Sequence, residues 1–309
     1  MMGAMSDPGP GQTSFVVGAD EDDRLDRVLS RRFPQASRKR LAELFAEGAV
    51  RVDGRVARKG DRAAPGTEVR LTRPPTGDAD LRPVGDPEAA ARLTVLHEDD
   101  GVVVVAKPAG MPSQPLRAGE RGTAASGIVA LHPECAFVAD DPRDGGLVHR
   151  LDIGTSGVLI AARTRAMWTA LRLAFGAGAV TKEYLALVDA APVAAECEEP
   201  LAQRGARVVV DHTDGLPAHT RWEVVRRFDG RRLLRCHATT GRMHQIRVHL
   251  ATCGAPITGD TLYGGQPFPG LHGFFLHASV VRFPVHTGEL TVEAPLPVDR
   301  RAVLAALGD

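Results

Sequence analysis

His149-Arg150-Leu151-Asp152-Ile153-Gly154-Thr155-Ser156-Gly157 sets a charged pair and a turn between two apolar runs, Leu147-Val148 before it and Val158-Leu159-Ile160-Ala161 after it. Charge inside core-like sequence needs a reason. If the chain enters the turn extended, side chains alternate faces, so Arg150 and Asp152 point the same way and Leu151 points into the core. A carboxylate is then presented beside a guanidinium on a loop anchored by buried strands, the kind of scaffold on which catalytic groups sit. The other reading is a structural ion pair closing a turn.

A second dense segment lies downstream: Thr240-Gly241-Arg242-Met243-His244-Gln245-Ile246-Arg247-Val248-His249-Leu250-Ala251, followed by Gly254-Ala255-Pro256-Ile257-Thr258-Gly259-Asp260 and Tyr263-Gly264. Three further pieces fall in order around these: Val102-Val103-Val104-Val105-Ala106-Lys107-Pro108-Ala109-Gly110, Lys182-Glu183-Tyr184-Leu185-Ala186-Leu187-Val188, and Leu276-His277-Ala278. Together they resemble the RluA-type pseudouridine synthases, whose signature is an H-R-L-D-x-x-T-S-G loop with a later G-R-x-H-Q-I-R-V-H segment. The resemblance covers residues 94 to 297. Two positions depart from the family pattern. Met243 stands where Thr is usual, and Gln114-Pro115 where His-Pro often follows the Lys-Pro-Ala-Gly piece.

Length and composition allow one large domain and a small one. No apolar run approaches the roughly 20 residues a membrane helix needs. Residues 1–23, rich in Gly, Pro and acids and without an apolar signal core, read as a disordered tail, and a cytoplasmic protein is expected. Cys135, Cys197, Cys236 and Cys253 lack C-x-x-C spacing and are expected as reduced core residues. Net charge is +0, but it is unevenly spread: Arg24 to Arg73 holds fourteen Lys or Arg against six Asp or Glu. A basic module sits inside a neutral chain.

That module, residues 24–73, reads as a small α/β unit. Leu25, Val28 and Leu29 fall at helical spacing, as do Leu41, Leu44 and Phe45 after Ser37-Arg38-Lys39-Arg40. Val50 to Arg55 reads as a strand running into an Asp-Gly turn, and Val69 to Leu71 as a closing strand. The pattern resembles the RNA-binding domain named after ribosomal small-subunit protein four, which implies that Arg38, Lys39 and Arg40 face RNA. Residues 74–92 read as a linker. From 93 to 309, short apolar strands outnumber helices, which are expected at 123–131, 165–175 and 242–253. The fold class is α+β: a large, mostly antiparallel mixed sheet with flanking helices, as in the pseudouridine synthase fold.

Turning uridine into pseudouridine needs no redox change and no energy input, and the chain has no Gly-rich phosphate loop, dinucleotide fingerprint or metal-ligand cluster, so neither cofactor nor metal is expected. The reaction does need an anionic group at the sugar, to attack the anomeric carbon or to take a ribose proton. Resemblance gives that role to Asp152. To stay ionised in a partly dry site it needs a partner cation, and resemblance supplies Arg247, beside the apolar stripe Ile246, Leu250 and Cys253. Arg150 has two readings: a pair with Asp152, or an arm that fills the space left by the flipped base. Resemblance makes Tyr184 the third catalytic residue, lying against the flipped uracil and helping to remove the carbon 5 proton; packing in the interior is the other reading. Lys182, two residues earlier on the same strand face, is read as a phosphate contact or a solvent-exposed lysine. Arg242, His244 and Gln245 complete the expected substrate-binding set, and His149, His244 and His249 are expected to make loop-fixing hydrogen bonds.

RNA is the expected partner, with large-subunit ribosomal RNA favoured by the small domain and transfer RNA the other candidate. No membrane contact is expected, and the protein is expected to be a monomer. Two other classes compete. One is an RNA-binding or ribosome-assembly protein with an inactive synthase-like domain. The other is an aspartate-dependent nucleoside or glycoside hydrolase, which would need a second carboxylate; no acidic residue of comparable placement appears near the motif.

Overall fold

The computed structural model describes residues 13–18, 21–33, 36, 38–73, 75, 81–285 and 288–308. The chain divides into two compact units, Met1–Leu81 and Arg82–Asp309.

In the first unit the elements run β1 (Thr13–Val16), β2 (Asp23–Arg24), α1 (Leu25–Arg32), α2 (Arg38–Ala46), β3 (Val50–Val52), β4 (Arg55–Val56), β5 (Arg62–Ala63) and β6 (Glu68–Leu71). Leu25 and Leu29 of α1, Leu41, Leu44 and Phe45 of α2, and Val50, Val69 and Leu71 of the strands close one apolar core. The expected turn is present: Asp53 (φ 45°) and Gly54 (φ 83°) join β3 to β4, the left-handed pair that tight hairpins require. The first described residues differ from expectation. Thr13–Val16 was read as part of a disordered tail, yet β1 pairs antiparallel with β6, and Phe15 meets the Phe33 ring edge-on at 6.1 Å. The Gly, Pro and acid content on either side masks a short run of strand-forming residues. Residues 1–12 lie outside the described residues.

In the second unit the elements are α3 (Pro87–Ala91), β7 (Thr94–Glu98), β8 (Val102–Lys107), α4 (Ala124–Leu131), β9 (Ser156–Ala162), α5 (Arg165–Gly176), β10 (Thr181–Val188), β11 (Glu196–Cys197), β12 (Leu201–Arg204), β13 (Arg207–Val210), β14 (Thr220–Arg227), β15 (Arg232–Ala238), α6 (Gln245–Thr252), β16 (Leu276–Val285), β17 (Gly288–Glu293) and α7 (Val298–Ala306). A nine-stranded sheet runs β11-β14-β15-β10-β16-β9-β8-β7, with β17 also paired to β16. Every pairing in it is antiparallel except β16 with β9. The architecture is α+β, a large mixed sheet with helices on its faces.

The uninterrupted valines of β8 have a physical explanation here. Val103 and Val105 face a core shared with α4, while Val102 and Val104 face one shared with Met167, Trp168 and Leu171 of α5. A strand covered on both faces loses the apolar-polar alternation of a half-exposed one. On the other half of the sheet, Ile246 and Leu250 of α6 and nearby Cys253 pack against Trp222, Leu234 and Cys236. All four cysteines are buried and free.

Three boundaries move. Part of the expected linker is helix α3, capped by Asp86, which accepts from the Glu88 and Ala89 amides, with Pro87 in the first turn. Helix α6 begins at Gln245 rather than Arg242, because His244 has left-handed backbone (φ 53°). Helix α7 has no counterpart in the sequence reading.

Two motif glycines are fixed by close approach. At Gly157 (φ 120°) a Cβ would lie 2.1 Å from the Ala278 carbonyl oxygen, where β9 meets β16, and at Gly154 a Cβ would lie 2.5 Å from the Phe274 ring. Gly157→Ala is expected to destabilise the protein by roughly 3 kcal/mol, combining overpacking with unfavourable φ. Urea unfolding would measure this, and a loss below about 1 kcal/mol would contradict the tight pairing of β9 and β16.

Candidate active site

Asp152 lies in an irregular loop between Leu147 and β9, not at the end of an extended strand. Irregular backbone below the surface must find partners for its polar groups. Here three buried side chains supply them. Ser113 donates to the Leu151 carbonyl (2.7 Å) and accepts from the Leu151 amide (3.1 Å). Lys107, at the end of β8, donates to the carbonyls of Ile153 (3.3 Å), Met111 (2.8 Å) and Pro108 (3.1 Å). Arg300, in α7, donates to the carbonyls of Gly154 (3.0 Å) and Phe274 (2.9 Å). Burial pulls the Lys107 ammonium down to about 7, with the Asp152 charge pulling it back up. The carboxylate is therefore suspended from β8 on one side and α7 on the other, while Leu151 is buried as expected.

Facing it from α6 is Arg247, 5% exposed. Its Nη1 donates to Asp152 Oδ2 at 3.0 Å, while Nε and Nη2 hold both oxygens of Asp260 at 2.7 and 2.9 Å. The guanidinium also lies 4.3 Å from the Phe274 ring centroid and 5.0 Å from that of Tyr263. Burial opposes its charge, but the hydrogen bonds and charges of Asp260 and Asp152 prevail and raise its pKa. Asp260 is thus the second carboxylate that the sequence reading did not find near the motif. It is 2% exposed with both oxygens bound to Arg247, so it is not available as a second acid or base.

The other candidates take varied places. Tyr184 on β10 bridges two apolar cores, and burial, with the Asp152 charge behind it, raises its phenol pKa. Lys182 donates to the Thr240 carbonyl (3.1 Å), lies 6.0 Å from the Phe175 ring centroid, and is pulled by burial to about 8. His244 Nδ1 lies 2.8 Å from the Tyr263 hydroxyl and its Nε2 3.9 Å from Asp152 Oδ2. Arg242 is exposed and donates to the Pro217 carbonyl. Gln245, expected among the substrate contacts, faces inward. Its oxygen accepts from Thr240 Oγ1 and the Arg242 amide, and its nitrogen donates to the His219 carbonyl and Thr220 Oγ1. All its polar positions are already used.

Among the described residues no ion pair joins Arg150 to Asp152. Arg150 is exposed, and it reaches instead toward Gln114. The Gln114 amide suits its neighbours in one orientation only, with its nitrogen donating to Asp144 (2.7 Å) and its oxygen accepting from Arg150 Nη1 (3.3 Å). His149 Nε2 accepts from the Ile160 amide (3.1 Å), and the His249 ring bridges Thr220 and the Glu199 carbonyl, loop-fixing bonds of the expected kind. In the other unit, Arg40 pairs with Glu43 and Glu47. Arg38 and Lys39 open α2, and their side chains lie outside the described residues. No group of three His, Cys, Asp or Glu suited to a metal occurs among the described residues.

Comparison with known proteins decides what this geometry belongs to. The family described as RNA pseudouridylate synthase matches residues 101–252, and the S4 domain family matches residues 23–69. Ribosomal large subunit pseudouridine synthase D of Xylella fastidiosa is 37% identical over 99% of this chain and 96% of its own. The protein of that name from Xanthomonas campestris pv. campestris is 36% identical over 92% of this chain and 88% of its own. The chain belongs to the RNA pseudouridylate synthase family. In fold, this pseudouridine synthase is similar to human RNA pseudouridylate synthase domain containing 4, with a TM-score of 0.56, 24% identity, and coverage of 71% of this chain and 94% of that one. The sequence reading of the synthase missed Lys107, Asp260 and Arg300 as parts of the site. Lys107 and Asp260 stand inside motifs already singled out, and Arg300 had no signal beyond being charged in an amphipathic stretch.

The Arg150 neighbourhood yields a pH-dependent prediction. Burial first, and Asp141 second, push Asp144 up to about 6 from 3.8. Between these values the folded state holds a proton that the unfolded chain releases, so this group's contribution is complete below 3.8 and lost as pH rises through 6. Asp144→Asn is therefore expected to be more stable than wild type at pH 7.5, on the order of 1–2 kcal/mol after solvent screening. Urea melts from pH 7.5 down to pH 5 should show the gap closing, and a gap independent of pH would refute the assignment.

Proposed function

We propose that this synthase isomerises specific uridines of large-subunit ribosomal RNA to pseudouridine, with Asp152 acting at the ribose of a flipped nucleotide. The observation that carries this reading is the three-membered cluster of Asp152, Arg247 and Asp260. Asp260 neutralises much of the Arg247 charge and fixes its plane, leaving one Nη to bind and orient Asp152 while that carboxylate stays partly exposed. Asp152 is then the member of the cluster that a ribose can reach. The bond from ribose to N1 breaks, the uracil turns, a bond to carbon 5 forms, and the carbon 5 proton leaves as N1 gains one. Atoms balance without water, oxidant or metal.

Tyr184 enters as a neutral phenol, since burial and the Asp152 charge both keep its proton on. It packs against the turned uracil, and it can take the carbon 5 proton only by passing on its own, for which Asp152 is the nearby acceptor. Arg150 is the arm that enters the stack when the base leaves, a step whose cost is on the order of a few kcal/mol. Lys182 and Arg242 flank the cleft as phosphate contacts, and Arg38, Lys39 and Arg40 belong to the S4 domain's RNA-facing helix. The ribosomal target is supported by the names of the relatives, and a cytoplasmic site of action goes with it.

The reading is tested by mapping carbodiimide-dependent reverse-transcription stops in ribosomal RNA from cells with and without the gene. Loss of one or a few stops, restored by wild type and not by Asp152→Asn, is the expected result. Unchanged stops would leave an RNA-binding or ribosome-assembly role in its place. Arg247→Lys is the useful partner variant, expected to lose turnover while retaining RNA affinity, because a lysine keeps the charge but not the two-sided fork. Arg247→Ala would strand Asp260 in the interior at about 3–5 kcal/mol and confound activity with folding.

A further inference from the structure

His244 has the kind of backbone that calls for a reason. Apart from Asp53 in the hairpin turn, it is the non-glycine residue with positive φ among the described residues. It sits at the start of α6 without capping the helix through its side chain. A strained conformation at a site persists only where the surroundings hold it. What holds it here is Tyr263. The Tyr263 oxygen accepts from the Val208 amide at 2.9 Å, and the ring of Tyr263 lies under the Arg247 guanidinium. That amide takes one acceptor position of the hydroxyl, and His244 Nδ1 lies 2.8 Å from the oxygen, in place to receive its proton. A histidine that accepts at Nδ1 carries its proton at Nε2, and Nε2 faces Asp152 Oδ2 at 3.9 Å. The opposite tautomer would set the Nε2 lone pair against the carboxylate.

We propose that Tyr263 and His244 form a positioning dyad in which Tyr263 fixes the Nε2–H tautomer, so that His244 is the second donor to Asp152. Arg247 and His244 then share Oδ2, leaving Oδ1 for the sugar. The 3.9 Å gap is longer than a hydrogen bond, and such contacts shorten when substrate closes the site. Burial lowers the His244 pKa, against the pull of Asp152, which keeps the ring neutral and the tautomer meaningful near pH 7. The β12–β13 hairpin supplies the amide that orients Tyr263, so a short arm outside the main sheet takes part in setting the carboxylate.

This rests on Asp152 being the reacting group, and the test separates the two claims. Single-turnover tritium release from ribosomal RNA labelled at uridine carbon 5, taken from gene-deleted cells, gives the rate, and filter binding of the same RNA gives the affinity. His244→Asn accepts the left-handed backbone but is too short to join Tyr263 to Asp152. It is expected to slow release by roughly 10- to 100-fold, and Tyr263→Phe by about tenfold, with RNA affinity within about twofold in both. The double variant should be no slower than His244→Asn alone, as for residues acting as a unit; multiplying effects would overturn the dyad. Wild type that releases no tritium would instead refute the proposed reaction. In that case the dyad is still decided by nitrogen-15 NMR of histidine-labelled full-length protein. His244 should carry its proton at Nε2 in wild type and lose that preference in Tyr263→Phe, and a proton at Nδ1 in wild type would refute the dyad.

Discussion

Arg247 held between two carboxylates is the interaction on which the site depends. A guanidinium this deep is tolerable only if its donors are used and its charge is met, and Asp260 meets both needs by binding it in two places. The remaining Nη1 then points in one direction, at Asp152. The aromatic faces of Phe274 and Tyr263 remove the freedom to tilt. Asp260, buried with both oxygens on Arg247, thus determines what Arg247 can do. Exchanging Arg for Lys would preserve charge and lose the geometry, because only the fork serves two carboxylates at once.

The same economy governs the loop that carries Asp152. It has no ladder of its own, so its carbonyls are held one by one by Ser113, Lys107 and Arg300. Two of these are among the largest fully buried side chains of the molecule, and both are cations. Burying them is unfavourable in itself, as the depressed values of Lys107 and Arg300 show. Their return is rigidity: positioning and electrostatics both require groups that do not rearrange when substrate arrives.

The sequence disclosed a large share of this, unevenly. Apolar runs such as Val102 to Val105 and Val158 to Ala161 announced buried strands because they are short, contain β-branched residues and are bounded by turn signals. Helix α3 went unseen because five residues give little periodicity, and α7 went unseen as well. The strand at Thr13–Val16 was lost in the composition of its surroundings. Asp152, Tyr184 and Arg247 were legible because each stands in a dense motif. Asp260 stood in a quoted motif but drew no role of its own, since its partner Arg247 lies thirteen residues away across a change of direction. Gln245 shows the converse error. Its polarity in a motif suggested a contact with RNA, and nothing in the sequence says that the side chain faces inward, where it ties Thr240 to Thr220.

The expected alternation around Asp152 failed for an instructive reason. Arg150 and Asp152 do not share a strand face, because the segment is a suspended loop whose residues answer to different partners. Asp152 answers to Arg247 and α6, while Arg150 answers to Gln114 and the Asp144 turn. Had the two paired, Arg150 would have been drawn away from Gln114 and from the exposed surface it now occupies. Separate partners let neighbours in sequence keep opposite charges at close quarters. The loop's irregularity, which defeats a strand-based reading, is what allows one residue to be fixed and the next but one to remain exposed.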